Sequence, residues 1–357
     1  EMLAKISAPA PGRPPPPFAE RYRPEEGVTQ GEVEEDVWDL YQISQKLRGA
    51  RYRAGSVTIN QVKVGFKLGP DGLPCECTEY AQKEANRLVE EFMLLANSSV
   101  AARIARVFPG RALLRRHPPP LESGLAKFAE LCGKARVPLA STSSRDMQAL
   151  FSSLGASQGD RETGLALMQG AAKAMQLAEY FCTGAFGEEE WGHYALAMDR
   201  YTHFTSPIRR YPDIVVHRLL QEAIDLGEGA EPEAPRGEEE AEGLQKVCGH
   251  CNERKWAAKQ AGEDSVQAFL RHYLAAREAA GDPVRAGGVV VSLGTSSFTV
   301  FVPSLDVTQV CGKAEMDPTP KWFDKRPDDG DAIGYRWDGG GRWAATLFAR
   351  VEVRATV

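Results

Sequence analysis

Apolar residues recur at helical spacing through most of the first 280 positions of the chain. The spacing predicts helices over residues 31–49, 79–108, 121–136, 145–154, 161–181 and 244–279. The stretch Leu88–Asn97 is apolar around most of its circumference, so the helix that contains it is expected to be buried on most sides. Alternating apolar positions predict a strand over residues 57–68, and the phase slips at Asn60–Gln61.

Short β-type runs replace the helical pattern from Gly287 onward. Apolar positions in 289–293 and 298–302 predict a hairpin, and strand-like runs return at 345–357. About 70 residues of short strands fit a small barrel of the OB type. The sequence therefore predicts an α+β protein. Its expected regions are a Pro-rich extended segment (1–30), a mostly helical domain (31–283) that includes an acidic disordered insert (227–243), and an OB-fold domain (284–357).

Composition narrows the class of protein. The chain has 357 residues and 43% hydrophobic residues, which is enough for two domains with real cores. A net charge of −6 means that a nucleic-acid role would need local basic surfaces. Seven cysteines, an odd and low count, predict reduced thiols in a cytoplasmic compartment. The sequence has no run of about 20 apolar residues, so no membrane partner is expected.

Two short patterns have the residue types of metal sites without the usual spacing. Cys248-Gly-His-Cys251 has no second cysteine pair at zinc-site spacing, and it falls in a predicted helix. The acidic run Asp328–Asp331 has no EF-hand spacing and lies among Pro and Gly residues. We interpret the first as ordinary thiols and the second as a loop.

The segment Tyr201–Leu220 is the most informative part of the chain. Ser206 suits a helix N-cap and Pro207 the first helical position, which would place Arg209 and Arg210 in the first turn. Helix starts of this kind bind phosphate, although an ordinary capped helix with solvated arginines has the same pattern. The apolar residues expected to point inward are Ile208, Ile214, Val215, Leu219 and Leu220.

Two further groups of charged residues, one basic and one acidic, can be interpreted either as functional or as structural. A locally basic stretch is either a phosphate-contacting channel wall or a solvated helix end; it comprises Arg103, Arg106, Arg111, Arg115, Arg116 and His117. Glu90 and Glu91 lie in the middle of an apolar helix, so at least one is expected to face the interior or a cleft. That glutamate would bind a base or sugar, support a metal site, or form a structural salt bridge.

Together these segments resemble the ribonuclease II and ribonuclease R family, the RNB-domain 3′-to-5′ exoribonucleases. The motifs that carry the resemblance are Leu88-Val-Glu-Glu-Phe-Met-Leu-Leu-Ala-Asn97, Leu114-Arg-Arg-His-Pro-Pro-Pro120, His193-Tyr-Ala-Leu196, Tyr201-Thr-His-Phe-Thr-Ser-Pro-Ile-Arg-Arg-Tyr211 and His217-Arg218. Their order is similar to the C-terminal half of the family's catalytic domain. Together with Tyr180-Phe-Cys-Thr-Gly184, the residues of these motifs are most similar to the eukaryotic exosome-independent branch that prefers uridylated RNA.

The resemblance implies Mg²⁺-dependent hydrolysis, with Mn²⁺ as a substitute, of single-stranded and possibly 3′-uridylated RNA to nucleoside 5′-monophosphates. It implies no obligate protein partner. Arg209 matches the arginine that contacts the scissile phosphate, and it is the implied catalytic residue. The implied RNA-binding residues are Glu90, Glu91, Arg115, Arg116, His117, Tyr201, His203, Arg210, His217 and Arg218.

One feature of the family pattern is missing. The family holds its metal ions with an aspartate cluster, upstream of the position of Glu90, and residues 1–89 contain no such cluster. We therefore expect a C-terminal fragment or an incomplete gene model, whose metal ligands are not in this chain and which does not hydrolyse RNA alone. The alternative is a non-catalytic RNA-binding protein that uses the OB domain and the basic loop.

Overall fold

The computed structural model describes most of the chain. The described residues are 27–59, 63–80, 82–156, 161–227, 229, 238–315, 321–323, 334–337 and 343–355. They divide into two compact units that interleave along the sequence. The first unit is drawn from Glu1–Val57, Ala81–Pro119 and Gln176–Trp256, and the second from Thr58–Tyr80, Pro120–Met175 and Ala257–Val357.

Helices and short antiparallel strands alternate along the chain. The helices are α1 (Gln30–Arg53), α2 (Glu84–Val107), α3 (Glu122–Lys134), α4 (Ser144–Ala156), α5 (Arg161–Ala172), α6 (Tyr211–Asp225) and α7 (Glu238–Ala279). The strands are β1 (Val64–Leu68), β2 (Pro74–Glu79), β3 (Leu113–Arg116), β4 (Glu179–Cys182), β5 (Val284–Leu293), β6 (Ser297–Val302), β7 (Val307–Gly312), β8 (Lys321–Phe323), β9 (Gly334–Trp337), β10 (Trp343–Thr346) and β11 (Arg350–Ala355). None of the described helices is both long and apolar enough to cross a membrane.

The first unit packs α2, α6 and the start of α7 around the pair β3–β4, and α1 packs against α2. A capping box at Thr29 and Glu32 starts α1, because each residue's side chain accepts the other's backbone N–H. The strands β3 and β4 are antiparallel, and Arg115 lies opposite Tyr180. The buried core around them includes Ile104, Phe108, Leu113, Leu114, Phe181, Val216 and Cys248.

The second unit contains the hairpin β1–β2, the helices α3 to α5, the rest of α7 and the C-terminal strands. An antiparallel sheet has the order β11-β5-β6-β7, and a three-stranded sheet has the order β10-β9-β8. The core of this unit includes Leu270, Leu274, Val290, Phe298, Val300, Val302 and Leu305. Within the described residues these sheets do not close on each other, so the predicted OB-type barrel is not confirmed.

Most predicted elements are confirmed, with shifted ends. The hairpin at 289–302 is present as β5 and β6, and the helices near 31–49, 79–108 and 244–279 are present as α1, α2 and α7. The prediction of one helix over 161–181 is wrong, because α5 ends at Ala172 and Glu179–Cys182 pairs with β3 instead. A buried antiparallel partner outweighs a local pattern that also fits a helix.

Two other predictions change at their edges. Among the described residues of 57–68, the predicted strand is present as β1 alone, and it pairs with β2, which the sequence did not predict. The acidic insert at 227–243 is predicted to be a loop, but α7 begins at Glu238. Glu and Ala are good helix formers, and acidic residues favour the positive end of a helix dipole. Residues 1–26, 228 and 230–237 of the predicted Pro-rich and acidic stretches, and the loop 328–331, lie outside the described residues.

Candidate nucleic-acid site

A tight turn, Ser206–Arg210, precedes α6 and carries both arginines of the Thr-Ser-Pro motif; we name it the arginine turn. The Ser206 carbonyl accepts the backbone N–H groups of Arg209 at 3.3 Å and Arg210 at 3.2 Å. The helix itself starts at Tyr211, so the prediction of an N-cap at Ser206 with Pro207 as the first helical residue is wrong. Pro212 explains the later start. In a helix that began at Pro207, residue 212 would donate its N–H to the Ile208 carbonyl, and proline has no N–H.

The arginine turn presents one arginine to solvent and holds the other. Arg209 is exposed, and its Nη2 lies 3.4 Å from Ser206 Oγ. Arg210 is half-buried, and its Nη2 donates to Asp213 Oδ1 at 2.7 Å. Ile208, which is predicted to point inward, is 96% exposed because it lies at the tip of the turn and not on the apolar face of a helix. Arg209 is therefore free to contact a ligand from solvent.

A second guanidinium, that of Arg115, lies beside this turn in the first unit. Its backbone N–H donates to the Tyr201 carbonyl at 2.7 Å, and its Nη1 lies 3.4 Å from His203 Nε2. Burial lowers the pKa of Arg115, and the nearby charge of Arg210 lowers it further. Among the described residues no carboxylate pairs with Arg115.

His203 is a neutral bridge between Arg115 and Tyr180. Burial and the charges of Arg115 and Arg210 lower the pKa of His203 to about 2. A guanidinium only donates, so His203 Nε2 is the acceptor and Nδ1–H donates to the Tyr180 hydroxyl at 2.6 Å. Burial raises the pKa of Tyr180 to about 12, so that phenol is neutral as well.

Tyr201 is held in place by a hydrogen bond from Asn97 of α2. Asn97 of α2 donates from Nδ2 to the Tyr201 hydroxyl at 3.0 Å, and its Oδ1 accepts the Phe204 N–H at 2.9 Å. Burial raises the pKa of Tyr201. The aromatic side of the site is therefore rigid and uncharged.

The charges of this cluster do not balance. Two guanidinium groups, Arg115 and Arg210, and one carboxylate, Asp213, act electrostatically on Tyr180, and His203, Tyr180 and Tyr201 are neutral. Within the described part of the chain, several buried polar atoms also have no hydrogen-bond partner: Arg115 Nε, Arg210 Nε, Thr205 Oγ1 and Asp213 Oδ2. These atoms are out of contact with solvent, but the uncompensated positive charge around them favours an anion such as a phosphate group nearby.

The other basic residues of the predicted site have structural partners. Arg116 pairs with Glu179 at 2.8 Å and Glu190 at 3.3 Å, and its guanidinium covers the Phe186 ring. Arg111 pairs with Glu222 at 2.5 Å. The structure therefore favours the structural interpretation for these two members of the basic stretch.

The histidines differ in how their nitrogens are used. His117 contacts the Gln176 carbonyl through Nε2 at 2.8 Å and accepts the Ala195 N–H through Nδ1 at 3.3 Å, so both of its nitrogens are occupied. His193 is buried with neither nitrogen bonded to a described residue, and burial lowers its pKa to about 2. His217 is exposed; it stacks on Phe204 and contacts that residue's carbonyl at 2.9 Å.

The two adjacent glutamates of α2 lie in different environments. Glu91 is 4% exposed, and Arg51 of α1 binds both of its carboxylate oxygens, at 2.5 and 3.4 Å. Glu90 is exposed and accepts from Gln82 Nε2 at 3.0 Å. Glu91 therefore forms the structural ion pair that the sequence allowed. Arg218 is exposed on α6.

The described residues do not fit a divalent-metal centre. They bring no group of three His, Cys, Asp or Glu side chains together. The carboxylate nearest the arginines, Asp213, is already bound by Ser206 and Arg210. All seven cysteines are free thiols, and burial raises the pKa of Cys248, which opposes the thiolate form that zinc needs.

Sequence reasoning located Arg115, Tyr201, His203 and the two turn arginines, and the structure brings all but the solvent-facing Arg209 into one electrostatic cluster. It assigned no site role to three residues that organise this cluster: Asn97, Tyr180 and Asp213. Asn97 and Tyr180 lie in motifs that carry the family resemblance, and the signal for Asp213 is an acidic residue in the first turn of a helix, three positions after an arginine.

Known proteins share this fold and much of this sequence. Residues 13–225 match the RNB domain. The chain is 40% identical over 248 residues to DIS3-like exonuclease 2 of Schizosaccharomyces pombe, which covers 69% of this chain and 26% of that protein. It is 35% identical over 314 residues to an Arabidopsis thaliana protein named inactive exonuclease DIS3L2, covering 77% of this chain and 29% of that one.

A solved structure supports the same assignment at the level of the fold. Mycoplasma genitalium RNase R, in complex with ribose-methylated single-stranded RNA, has a TM-score of 0.70 and 15% identity to this chain, covering 93% of this chain and 49% of that one. The chain spans about a quarter to a third of the curated exonuclease relatives, between 26% and 34% of their length. Residues 13–225, which match the RNB domain, make up more than half of the chain, and the chain therefore belongs to the RNB-domain family.

Proposed function

We propose that this chain forms the RNA-holding part of a 3′-to-5′ exoribonuclease, in which Arg209 contacts the scissile phosphate of single-stranded RNA. The observation that carries the proposal is the arginine turn: an exposed guanidinium beside a buried cluster with more positive than negative charge. The similarity to DIS3-like exonucleases supports the same substrate class.

The chemistry of the turn suits a phosphodiester. A guanidinium presents its donors in a planar fork that matches two phosphate oxygens, and it keeps its charge at any physiological pH. Charge that develops on the phosphoryl oxygens during hydrolysis would be stabilised by Arg209. Arg210 and Arg115 lie behind it, where their positive charge would attract a neighbouring phosphate.

The neutral aromatic groups have a different part in this proposal. Tyr201 and His203 carry no charge that would repel or titrate against the RNA at neutral pH. Because Asn97 and Tyr180 fix their orientation, they form a rigid wall along which an RNA backbone would lie. A preformed site of this kind loses little conformational entropy on binding.

The family resemblance further leads us to propose Mg²⁺ or Mn²⁺ dependence of the complete enzyme, with metal ligands that are not in this chain, and a preference for 3′-uridylated RNA. The described side chains do not fit such a metal, so the roles of this chain's own residues are to hold the RNA and to contact its phosphates. Because the implied metal ligands are not in this chain, we propose that the chain binds RNA but does not hydrolyse it alone.

One assay tests both parts of the proposal. The purified chain is mixed with a 5′-labelled single-stranded RNA that ends in uridines, with Mg²⁺ present; binding is followed by anisotropy and trimming on a gel. We expect binding without single-nucleotide trimming. Arg209→Ala should weaken binding about tenfold, the amount expected for one lost charge-assisted hydrogen bond, and should lower the slope of log K against log salt by about 0.7.

The matched control is Arg106→Ala, which removes an equally exposed arginine from the end of α2. Its effect on affinity should be less than about twofold, because long-range attraction between exposed charges is screened by salt. Equal effects of the two substitutions would contradict a specific contact at Arg209, and robust trimming by the chain alone would contradict the proposed inactivity.

A second candidate function is a non-catalytic RNA-binding protein. The observation that favours it is the 35% identity to a relative named an inactive exonuclease. The two candidates differ in one result: joining the chain to the aspartate-bearing half of a homologous exonuclease should give Arg209-dependent trimming only if the site is catalytically competent. Binding without trimming in that joined protein would favour the second candidate.

A further inference from the structure

Asp213 is the most deeply buried carboxylate near the arginine turn. It is the third residue of α6 and is fully buried, with 0% of its surface exposed. Its Oδ1 accepts the Ser206 N–H and an Nη2–H of Arg210, each at 2.7 Å. Its Oδ2 has no hydrogen-bond partner among the described residues. A buried charge of this kind is costly unless it is paired, so its two bonds to the turn have a strong energetic basis.

The other contacts that hold the arginine turn are weaker. The Ser206 carbonyl accepts two N–H groups at 3.2 and 3.3 Å, and Arg209 reaches Ser206 Oγ at 3.4 Å. Ile208 is 96% exposed, so the tip of the turn gains little from packing. The two short, charge-assisted bonds to Asp213 therefore dominate the local geometry, because charged hydrogen bonds are about twice as strong as neutral ones.

We propose that Asp213 is the positioning residue that holds the arginine turn against the start of α6, so that Arg209 points outward to the phosphate of the RNA. Asp213 fixes one end of the turn through the Ser206 N–H and the other through the Arg210 side chain. Arg209, between these anchors, is left to face solvent. This inference rests on the proposed function for the role of Arg209, but the holding of the turn is measurable without RNA.

A purely electrostatic role and a positioning role of Asp213 predict opposite changes in RNA affinity when Asp213 is replaced by Asn. Asp213→Asn removes a negative charge from a site that is proposed to bind a polyanion, so charge alone would strengthen RNA binding. If Asp213 positions the turn, the same substitution must weaken RNA binding, because Arg210 loses its ionic partner. A merely structural role would lower the melting temperature without changing the salt dependence of binding to the folded protein.

The first measurement is amide hydrogen exchange at Ser206, Arg209 and Arg210 in the free chain. Asp213→Ala should make the Ser206 amide exchange at least about tenfold faster, since its acceptor is lost. Asp213→Asn keeps the shape and one acceptor oxygen, so the fold and most of the Ser206 protection should remain. Asp225→Asn, an exposed aspartate at the other end of α6, is the matched control and should change neither.

The second measurement is RNA affinity in a double-variant cycle, made below the melting temperature of every variant. Asp213→Asn should weaken binding of the single-stranded RNA about tenfold, like Arg209→Ala, the scale of one charge-assisted bond. The double variant should bind no more weakly than Arg209→Ala alone, because both changes remove the same contact.

Three outcomes would overturn the inference: unchanged exchange in Asp213→Ala, unchanged or tighter RNA binding in Asp213→Asn, or fully additive losses in the double variant. A normal affinity in Arg209→Ala would instead contradict the proposed function. In that case the exchange data still decide whether Asp213 holds the turn.

Discussion

Burial of polar side chains determines the charge of this site. His193 and His203 are neutral because their surroundings exclude water and contain guanidinium groups, and the pKa of each is lowered to about 2. Burial lowers the pKa of His117 as well. Arg115 and Arg210 keep the excess positive charge, so the site attracts an anion without titrating near neutral pH.

The buried histidines predict acid sensitivity. An unfolded histidine takes up a proton below about pH 6.5 and a buried one does not, so the unfolded state binds more protons and stability falls as pH decreases. We expect the free energy of unfolding in urea to drop by about 1 kcal/mol per pH unit for each of His193 and His203 between about pH 6.5 and 5.5.

Two variants separate this cause from general acid effects. His203→Gln should remove about 1 kcal/mol of the loss, whereas His250→Gln, at an exposed position, should leave the pH dependence unchanged. A wild-type stability that is flat or rises on acidification would show that these histidines are protonated in the folded chain.

At the scale of elements, the hydrophobic pattern was sufficient to predict the long helices but not every helix end or the contacts between helices. Periodicity predicted α1, α2 and α7, because long amphipathic runs have one interpretation. The pattern predicts the start of α6 four residues early, because Ser206-Pro207 is a good cap in isolation. Pro212 disfavours that earlier start, because it would lie inside the helix without an N–H to donate. The ion pair that joins α1 to α2, Arg51 with Glu91, is a non-local contact that no spacing rule reveals.

The adjacent glutamates of α2 give a matched test of that ion pair. Glu91→Gln should destabilise the chain by about 3 kcal/mol, because Arg51 would remain buried without its counter-charge. Glu90→Gln should cost less than about 0.5 kcal/mol, since that side chain is exposed. Urea unfolding measures both, and equal losses would mean that the two carboxylates have equivalent environments.

At the scale of the whole molecule, the sequence identified the family and the arginine motif but not the internal organisation. The compact units interleave, so stretches far apart in the chain share a core, and the linear order of the elements does not show this. The same holds within the site: Arg115 and Tyr180 come from two separate strands, and His203 and Asp213 come from a third stretch, Tyr201–Leu220. The family motifs contain Arg115, Tyr180 and His203, but the roles of Tyr180 and Asp213 follow only from their contacts.

Binding of RNA at the arginine turn is tested most directly by photo-crosslinking. The chain is crosslinked to a single-stranded RNA that carries one 4-thiouridine at its 3′ end, and the attached peptides are identified by mass spectrometry. We predict crosslinks within Tyr201–Arg210 that disappear in Arg209→Ala and persist in Arg106→Ala. Crosslinks confined to residues 284–357 would contradict this prediction, and would place the RNA on the C-terminal strands instead.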